Sequence, residues 1–314
     1  MTILVTGVSG FAARHLVPLL FHLEPKRKLV GFYRSQKPNW LSRHQLILEK
    51  VDLLDRKKLF HAIQKYRPHQ VYHLASVVGV GRLQADPAPA FESNILGTAN
   101  LFEALKPLSR RTRILNVGSA EEYGRVAQRN LPVRENQPLG PFTAYGVSKK
   151  CQEEIARYYE RSSGFEIVYT RTFHYAGTAQ PRGFFFSDCS AQILKLGRKQ
   201  YGKMLVGNLS AKRDYTDIRD VVSAYHLLMK HGKAGEVYNV SSGHVLSMKQ
   251  YLEMMIQESG VQVELKVDPS KVRRVDVPMF VGNNRKLMRE IGWKPTISIR
   301  QMIRDILKCR MNQV

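Results

Sequence analysis

The stretch TAYGVSKKCQEE, residues 143–154, contains a tyrosine and a lysine four positions apart, Tyr145 and Lys149. Residues at this spacing on a helix lie on the same face, one turn apart. A phenol and an ammonium group so placed can both face one small ligand, the phenol as a proton donor and the lysine as the group that tunes it. The same spacing arises by chance in many helices, so its meaning depends on the surrounding elements.

Those elements alternate between short apolar runs rich in β-branched residues and amphipathic stretches. We predict strands at 3–6, 28–33, 45–51, 70–75, 113–118 and 165–171. Between them we predict helices near 11–22, 56–66, 91–106 and 144–162. This alternation is typical of an α/β fold with a doubly wound parallel sheet of the Rossmann type. The last of these helices carries the tyrosine and the lysine.

The second part of the chain is less regular. It contains an aromatic run, Phe184-Phe185-Phe186, that we interpret as core in preference to pocket lining. Helix candidates lie near 188–199, 217–231, 247–259 and 298–310, with a short strand at 236–240. We predict a dinucleotide-binding domain over residues 1–171, to which a segment at about 217–242 returns. We predict that residues 172–314 form mainly a smaller α/β lobe that binds the substrate.

The composition limits the classes of protein. Hydrophobic residues make up 43% and charged residues 24% of the 314 residues, as in ordinary globular proteins. No apolar run is long enough to cross a bilayer, and the start MTILVTG lacks the pattern of a signal peptide. We therefore expect a cytoplasmic protein without a membrane partner. The three cysteines, Cys151, Cys189 and Cys309, are widely spaced and predict neither a disulfide framework nor a metal cluster.

The chain is strongly basic, with 49 Lys and Arg against 26 Asp and Glu, a formal net charge of +23. Such an excess occurs in nucleic-acid-binding proteins. The basic residues are dispersed in short groups, so we favour a generally basic surface that attracts anionic small molecules. Binding of nucleic acid is kept as a distant alternative.

A glycine-containing turn, TGVSGF, joins the first strand directly to the first helix. Its glycines permit a tight turn and a close approach of the backbone to a pyrophosphate at the helix amino terminus. A turn between the first strand and a helix is the expected context for a dinucleotide site. The cofactor-binding residues predicted here are Gly7, Ser9, Gly10, Phe11 and Ala12.

The end of the second strand distinguishes between the two nicotinamide cofactors. An acidic residue there would bind the free ribose hydroxyls, but the sequence has Arg34 followed by Ser35. Because a guanidinium group suits a 2′-phosphate, we predict NADP(H), with NAD(H) less favoured. Further cofactor contacts are predicted after the third and fourth strands, at Asp52, Leu53, Leu74, Ala75 and Ser76.

Over nearly its whole length the chain resembles the extended short-chain dehydrogenase/reductase family. The matching segments are TGVSGF, HLAS, NILGT, GSAEEYG, YGVSK, RDYTDIRDV and YNVSSG, in that order. Within the family it is similar to the branch that acts on GDP-linked deoxysugars, and in particular to the reductases of GDP-4-keto-6-deoxymannose. The resemblance implies NADPH-dependent reduction of the C4 ketone of a GDP-4-keto-6-deoxyhexose. It also implies a GDP-sugar as the binding partner and a homodimer.

The resemblance implies catalytic roles for four residues. Tyr145 would donate its phenolic proton to the carbonyl oxygen, and Ser119 would orient that carbonyl. Lys149 would lower the pKa of the tyrosine and contact the nicotinamide ribose, so Tyr145 and Lys149 also belong to the cofactor site. Glu121 keeps the Ser-x-Glu spacing of GDP-mannose 4,6-dehydratases, so it is either a proton-transfer group or part of the pocket wall.

For the GDP-sugar, the resemblance implies Arg213 and Arg273 at the diphosphate and Asp276 at the ribose hydroxyls. Asn208 would contact the base or its loop. His174 replaces an asparagine of the family, and would either contact the substrate near its phosphate or reshape the sugar pocket.

Two other functions remain open. A GDP-mannose 4,6-dehydratase or a nucleotide-sugar epimerase would use the same tyrosine and lysine but regenerate its cofactor within one turnover. An RNA-binding protein on a dehydrogenase scaffold would not require Tyr145 and Lys149, so their presence argues against it.

Overall fold

The computed structural model describes residues 1–40, 46–78, 86–197, 201–272 and 277–311. The strands in these ranges are β1 Thr2–Thr6, β2 Lys28–Tyr33, β3 Leu46–Lys50, β4 Gln70–His73, β5 Arg113–Ser119, β6 Glu166–Thr172, β7 His174–Ala176, β8 Tyr201–Val206, β9 Lys212–Arg213, β10 Tyr215–Asp217, β11 Val237–Val240, β12 Leu246–Ser247, β13 Gln262–Val267 and β14 Met279–Phe280.

Seven of these strands form one sheet in the order β11-β6-β5-β4-β1-β2-β3. All neighbours in it pair in parallel. The order reverses direction between β1 and β4, which confirms the predicted doubly wound Rossmann-type sheet. The remaining strands form three small sheets of two or three strands.

The helices in the described ranges are α1 Phe11–Leu23, α2 Arg56–Tyr66, α3 Ala88–Phe91, α4 Gly97–Leu105, α5 Ala144–Ser163, α6 Phe185–Leu196, α7 Ile218–His231, α8 Met248–Ser259, α9 Arg285–Ile291 and α10 Ile299–Met311. A π-helical turn, Glu92–Leu96, separates α3 from α4, so the single helix predicted at 91–106 is wrong in this detail. None of the helices in these ranges is long and apolar enough to span a membrane.

The central sheet is buried on both faces. Ile3 and Val5 of β1 belong to one apolar cluster, which includes side chains of α1 and α7. Leu4, between them, belongs to the other cluster, which includes side chains of α2, α4 and α5. Successive side chains of a strand point to opposite faces, so burial of both faces requires the continuous apolar run of this strand.

A third apolar cluster contains side chains of α6, α8 and α10 and of the small strands. The aromatic run at its edge only partly follows the prediction. Phe186 is 1% exposed and therefore belongs to the core. Phe184, the residue just before α6, is 38% exposed.

Candidate active site

The predicted cofactor and catalytic residues lie at one edge of the central sheet. The strands are parallel, so their carboxyl ends meet there, and the segments that follow β1, β2, β3, β4 and β5 are neighbours. In open α/β sheets ligands bind outside this edge, where the strand order reverses.

The turn after β1 requires glycine at its first position. Gly7 has φ +68°, and a Cβ atom there would lie 2.7 Å from the Ala75 Cα. Any other residue would be both strained and in collision with the segment after β4. The backbone of the turn is thereby held against the predicted cofactor residues Leu74 and Ala75.

The turn leads into the amino terminus of α1. The Gly10 N–H donates to the Gly7 carbonyl at 2.9 Å, and no side chain caps the helix. Ser9 and Gly10 are exposed, and Phe11 and Ala12 are partly buried. With no acidic residue in the first turn, this helix end suits an anionic group.

The segments that follow β2 and β3 carry predicted cofactor residues that differ in burial. Arg34 and Ser35 after β2 are both exposed. After β3, the Asp52 carboxylate accepts a hydrogen bond from the Leu54 N–H at 3.0 Å, and Leu53 is buried. A cation, a hydroxyl and an oriented carboxylate thus border the same edge.

A buried hydrogen-bond chain holds the segment after β4. The Ala75 N–H donates to the Thr6 hydroxyl at 3.2 Å, and the same hydroxyl bonds to His73 Nδ1 at 2.9 Å. His73 Nε2 bonds to the Thr98 hydroxyl at 2.9 Å. Burial, and to a lesser degree Lys149, lowers the pKa of His73 to about 3, so this ring is neutral at ordinary pH.

Two observations fit a bound dinucleotide at this edge. The Ser76 hydroxyl oxygen is buried, and within the described residues it has no hydrogen-bond partner. Ser76 follows Ala75, whose backbone packs against Gly7 of the glycine turn. Because buried polar atoms are normally paired, an unpaired hydroxyl in the segment packed on the glycine turn indicates a place for a polar ligand.

The end of β5 and the start of α5 are joined by Thr143. Its hydroxyl accepts from the Gly146 N–H at 2.9 Å and so caps α5. The same hydroxyl donates to the Glu121 carboxylate at 2.7 Å, in the 3₁₀ turn Ala120–Tyr123 that follows β5. A helix cap and a carboxylate of the site are therefore fixed to each other.

Lys149 is 3% exposed and points at β5. Its Nζ donates to the Val117 carbonyl at 2.6 Å and to Gln152 Oε1 at 2.7 Å. Burial lowers the pKa of this amine, and the Glu122 carboxyl opposes that change.

Tyr145 lies one helical turn before Lys149 and is partly buried. Burial raises its pKa above the ordinary value, and the nearby Tyr175 and Glu121 add to this change. A hydrogen-bonding interaction with the Ser119 side chain opposes it. The Lys149 ammonium group contacts neutral acceptors, and the lowering of the tyrosine pKa that the resemblance implies stays a prediction.

Asn94 is a residue of the site to which the sequence analysis assigned no role. It lies in the π-helical turn Glu92–Leu96, is fully buried, and donates to the Ser148 hydroxyl at 2.9 Å. It also accepts from the Val77 N–H at 2.8 Å, and the Ser148 hydroxyl donates to the Tyr145 carbonyl at 2.8 Å. The turn therefore ties the segment after β4 to the start of α5. Such π-helical turns are frequent at functional sites.

His174 begins β7, just after β6. Its ring centroid is 5.4 Å from that of Tyr215 and 6.2 Å from that of Phe280. The side chain thus belongs to an aromatic group at the carboxyl end of β6, next to β5 in the sheet.

The remaining predicted substrate residues lie farther along the chain. Arg213, in β9, is 7% exposed and donates to the carbonyls of Lys212 at 2.8 Å and Val277 at 2.7 Å. Asn208 is exposed and accepts from the Ser210 N–H at 3.0 Å.

The structure thus brings together the end of β5, with Ser119 and Glu121, and the start of α5, with Tyr145 and Lys149. Arg273 and Asp276 lie outside the described residues. Across the described ranges, no group of three or more His, Cys, Asp or Glu side chains is arranged to hold a metal ion.

Comparisons with known proteins agree with this geometry. The family model described as GDP-mannose 4,6 dehydratase matches residues 4–306. The GDP-6-deoxy-D-mannose reductase of Pseudomonas aeruginosa is 32% identical over 304 residues, which cover 96% of this chain and 95% of that protein.

Solved structures show the same relationship. The structure of RMD from Pseudomonas aeruginosa complexed with NADPH has a TM-score of 0.86 at 30% identity, with all of both chains covered. The UDP-glucose 4-epimerase of Thermotoga maritima with UDP-glucose has a TM-score of 0.90 at 23% identity, covering 100% of this chain and 99% of that one, a likeness of fold. The chain therefore belongs to the GDP-mannose 4,6-dehydratase family of extended short-chain dehydrogenases/reductases.

Proposed function

We propose that the protein is an NADPH-dependent reductase of the C4 ketone of a GDP-4-keto-6-deoxyhexose, of the type that converts GDP-4-keto-6-deoxymannose to GDP-rhamnose. The observation that carries the proposal is the convergence of Tyr145, Lys149 and Ser119 at the carboxyl end of β5. The similarity to a GDP-6-deoxy-D-mannose reductase supports the choice of substrate.

In this reaction Tyr145 acts as the general acid. Because burial raises its pKa, the phenol keeps its proton at neutral pH until the substrate oxygen gains negative charge. Ser119 donates a hydrogen bond to the same oxygen and orients the carbonyl. The Lys149 ammonium group, one helical turn away, stabilises the phenolate that remains.

The bound cofactor supplies the hydride. Support for NADP(H) comes from the cation at Arg34, which suits a 2′-phosphate, and from the NADPH complex of the RMD structure. The glycine turn and the start of α1 would hold the pyrophosphate, and the Ser76 hydroxyl would gain the partner that it lacks. Asp52 and Leu53 would border the adenine, and NAD(H) remains the less favoured cofactor.

For the GDP-sugar we propose Arg213 and Arg273 at the diphosphate, Asp276 at the ribose and Asn208 near the base. Arginine suits this place because its fork of N–H groups matches phosphate oxygens. His174, among the aromatic rings at the carboxyl end of β6, would contact the substrate near its phosphate.

A GDP-mannose 4,6-dehydratase is the second candidate. Its supporting observation is the Glu121 carboxylate, which is held at the site by the Thr143 hydroxyl at 2.7 Å and could exchange protons with a sugar carbon. The same geometry suits a carboxylate that only anchors Thr143 and lines the pocket. A nucleotide-sugar epimerase shares the tyrosine and lysine but has no further observation in its favour.

One assay separates these functions. The purified protein is mixed with GDP-4-keto-6-deoxymannose and NADPH, and the nicotinamide absorbance is followed. We expect NADPH to be consumed in proportion to product, and more slowly when NADH replaces it. Unchanged absorbance would overturn the reductase proposal. In a parallel reaction with GDP-mannose as the substrate, its conversion to a keto-sugar without net loss of cofactor would establish the dehydratase.

A further inference from the structure

Glu122 is a buried acid beside the proposed reaction site to which the mechanism above gives no role. It is 0% exposed, and its Oε1 accepts from the Ser119 N–H at 2.6 Å. Its Oε2 has no hydrogen-bond partner within the described residues, but it forms an ion pair with Arg171, whose Nε lies 3.7 Å away. Burial of a charged carboxyl costs free energy that pairing must offset, and this ion pair at 3.7 Å lacks a hydrogen bond.

The charge of Glu122 also acts on Lys149. This amine is also buried, and its hydrogen bonds go to neutral acceptors, the Val117 carbonyl and Gln152 Oε1. Glu122 Oε1 lies against Gly118, where an added Cβ atom would be only 2.5 Å from it. The carboxyl and the amine therefore contact consecutive residues of β5, close enough for one charge to act on the other.

We propose, on the basis of the reductase function above, that Glu122 is a positioning residue: its buried carboxyl is the counter-charge that keeps Lys149 an ammonium ion at the alkaline end of the working pH range. Lys149 can stabilise the Tyr145 phenolate only in its charged form. Glu122 thus acts on the reaction through Lys149 and through the Ser119 backbone that it holds.

The other charged groups around the pair do not supply this counter-charge. Glu153, on α5, accepts from Arg171 at 2.8 and 3.0 Å and from Arg157 at 2.9 Å, so it is committed to two arginines. His73, on β4, is kept neutral by burial. Other titratable side chains near the site, among the described residues, are those of Glu121, Tyr123, Tyr145, Tyr175 and Tyr225.

The direction of the effect follows from burial and charge. Burial and the nearby Glu153 raise the pKa of Glu122, and burial lowers the pKa of Lys149. The two groups therefore titrate as a coupled pair, and once the carboxyl is ionised its charge favours the protonated form of the amine. Without this carboxyl, Lys149 would become neutral at a lower pH.

The test is the pH dependence of kcat for Glu122→Gln. Glutamine keeps the volume and an oxygen for the Ser119 N–H but removes the charge. We expect the alkaline limb of the profile to move to lower pH by about one unit or more, the usual effect of losing one nearby opposite charge. An alkaline limb that coincides with that of the wild-type protein would overturn the proposal.

Glu160→Gln is the matched control. Glu160 is also on α5, also has its pKa raised by burial, and accepts from the Tyr169 hydroxyl at 3.0 Å. It does not contact the end of β5, so its variant should keep the wild-type profile. A shift of equal size in both variants would mean a general effect of charge, which contradicts the proposal.

A second measurement is independent of turnover. NMR of protein labelled with ¹³C at the lysine Cε reads the titration of Lys149, assigned by the signal that Lys149→Arg removes. The wild-type signal should show two steps, the first reporting ionisation of Glu122, and Glu122→Gln should show one step at lower pH. An unchanged midpoint refutes the inference even if the protein is a reductase. Absence of NADPH consumption refutes the proposed function and leaves this titration readable.

Discussion

At the scale of the residue, burial shifts the pKa values of the proposed acid, Tyr145, and of the neighbouring amine of Lys149 in opposite directions. It raises the pKa of Tyr145, so the proton stays on the phenol, and it lowers the pKa of Lys149, so the ammonium group needs support. The spacing of these two residues was readable from the sequence. The contacts of Asn94 were not readable, because its partners Val77 and Ser148 lie 17 and 54 positions away along the chain.

Tyr145→Phe removes the phenolic proton and keeps the ring. We expect kcat to fall by ~10²–10⁴-fold, the range for loss of a positioned general acid, with the Kd for NADPH nearly unchanged. Steady-state kinetics and a fluorescence titration of NADPH measure the two quantities. Tyr158→Phe is the control, since Tyr158 lies on the same helix and is 57% exposed. Undiminished turnover in Tyr145→Phe would remove Tyr145 as the acid.

At the scale of the element, the central sheet was the most predictable part of the fold. β2 has the predicted limits because its apolar run is continuous and buried on both faces. The strands β7, β9, β10, β12 and β14 have only two or three residues, too few for a periodic pattern, and exist through pairing with distant segments. β13 could have been found, because QVELKV alternates between apolar and polar residues.

The start of α5 offers a prediction at this scale. Thr143→Ala removes the helix cap and the hydrogen bond to Glu121, so we expect the free energy of unfolding to fall by about 1 kcal/mol and kcat to fall as well. Denaturant unfolding and steady-state kinetics measure both, and Thr143→Ser should restore both. Ser247→Ala, which removes the cap of α8, should lower stability alone. If Thr143→Ala also lowers stability alone, the cap does not position the site.

At the scale of the whole molecule, the net charge of +23 favours binding of anions. NADPH and a GDP-sugar are both multiply charged anions. The division at residue 171 and the homodimer stay predictions, because a single sequence does not encode them in any local pattern.

The charge leads to a prediction about salt. Raising the ionic strength from about 0.01 M to about 1 M shortens the Debye length from ~30 Å to ~3 Å. We expect kcat/KM for both substrates to fall steeply over this range while kcat changes little, because screening weakens attraction before binding and leaves buried contacts intact. Initial rates at several KCl concentrations measure this. Equal decreases in kcat and kcat/KM would point instead to salt damage of the folded enzyme.

Hydride transfer from NADPH to the sugar ketone is the central claim, and deuterium tracing tests it most directly. The protein is incubated with GDP-4-keto-6-deoxymannose and NADPH carrying deuterium at the transferable C4 position of its ring, and the product is analysed by mass spectrometry and NMR. The account predicts one deuterium atom per product molecule, bound to C4 of the sugar. A product without deuterium at that carbon, or no product at all, would contradict it.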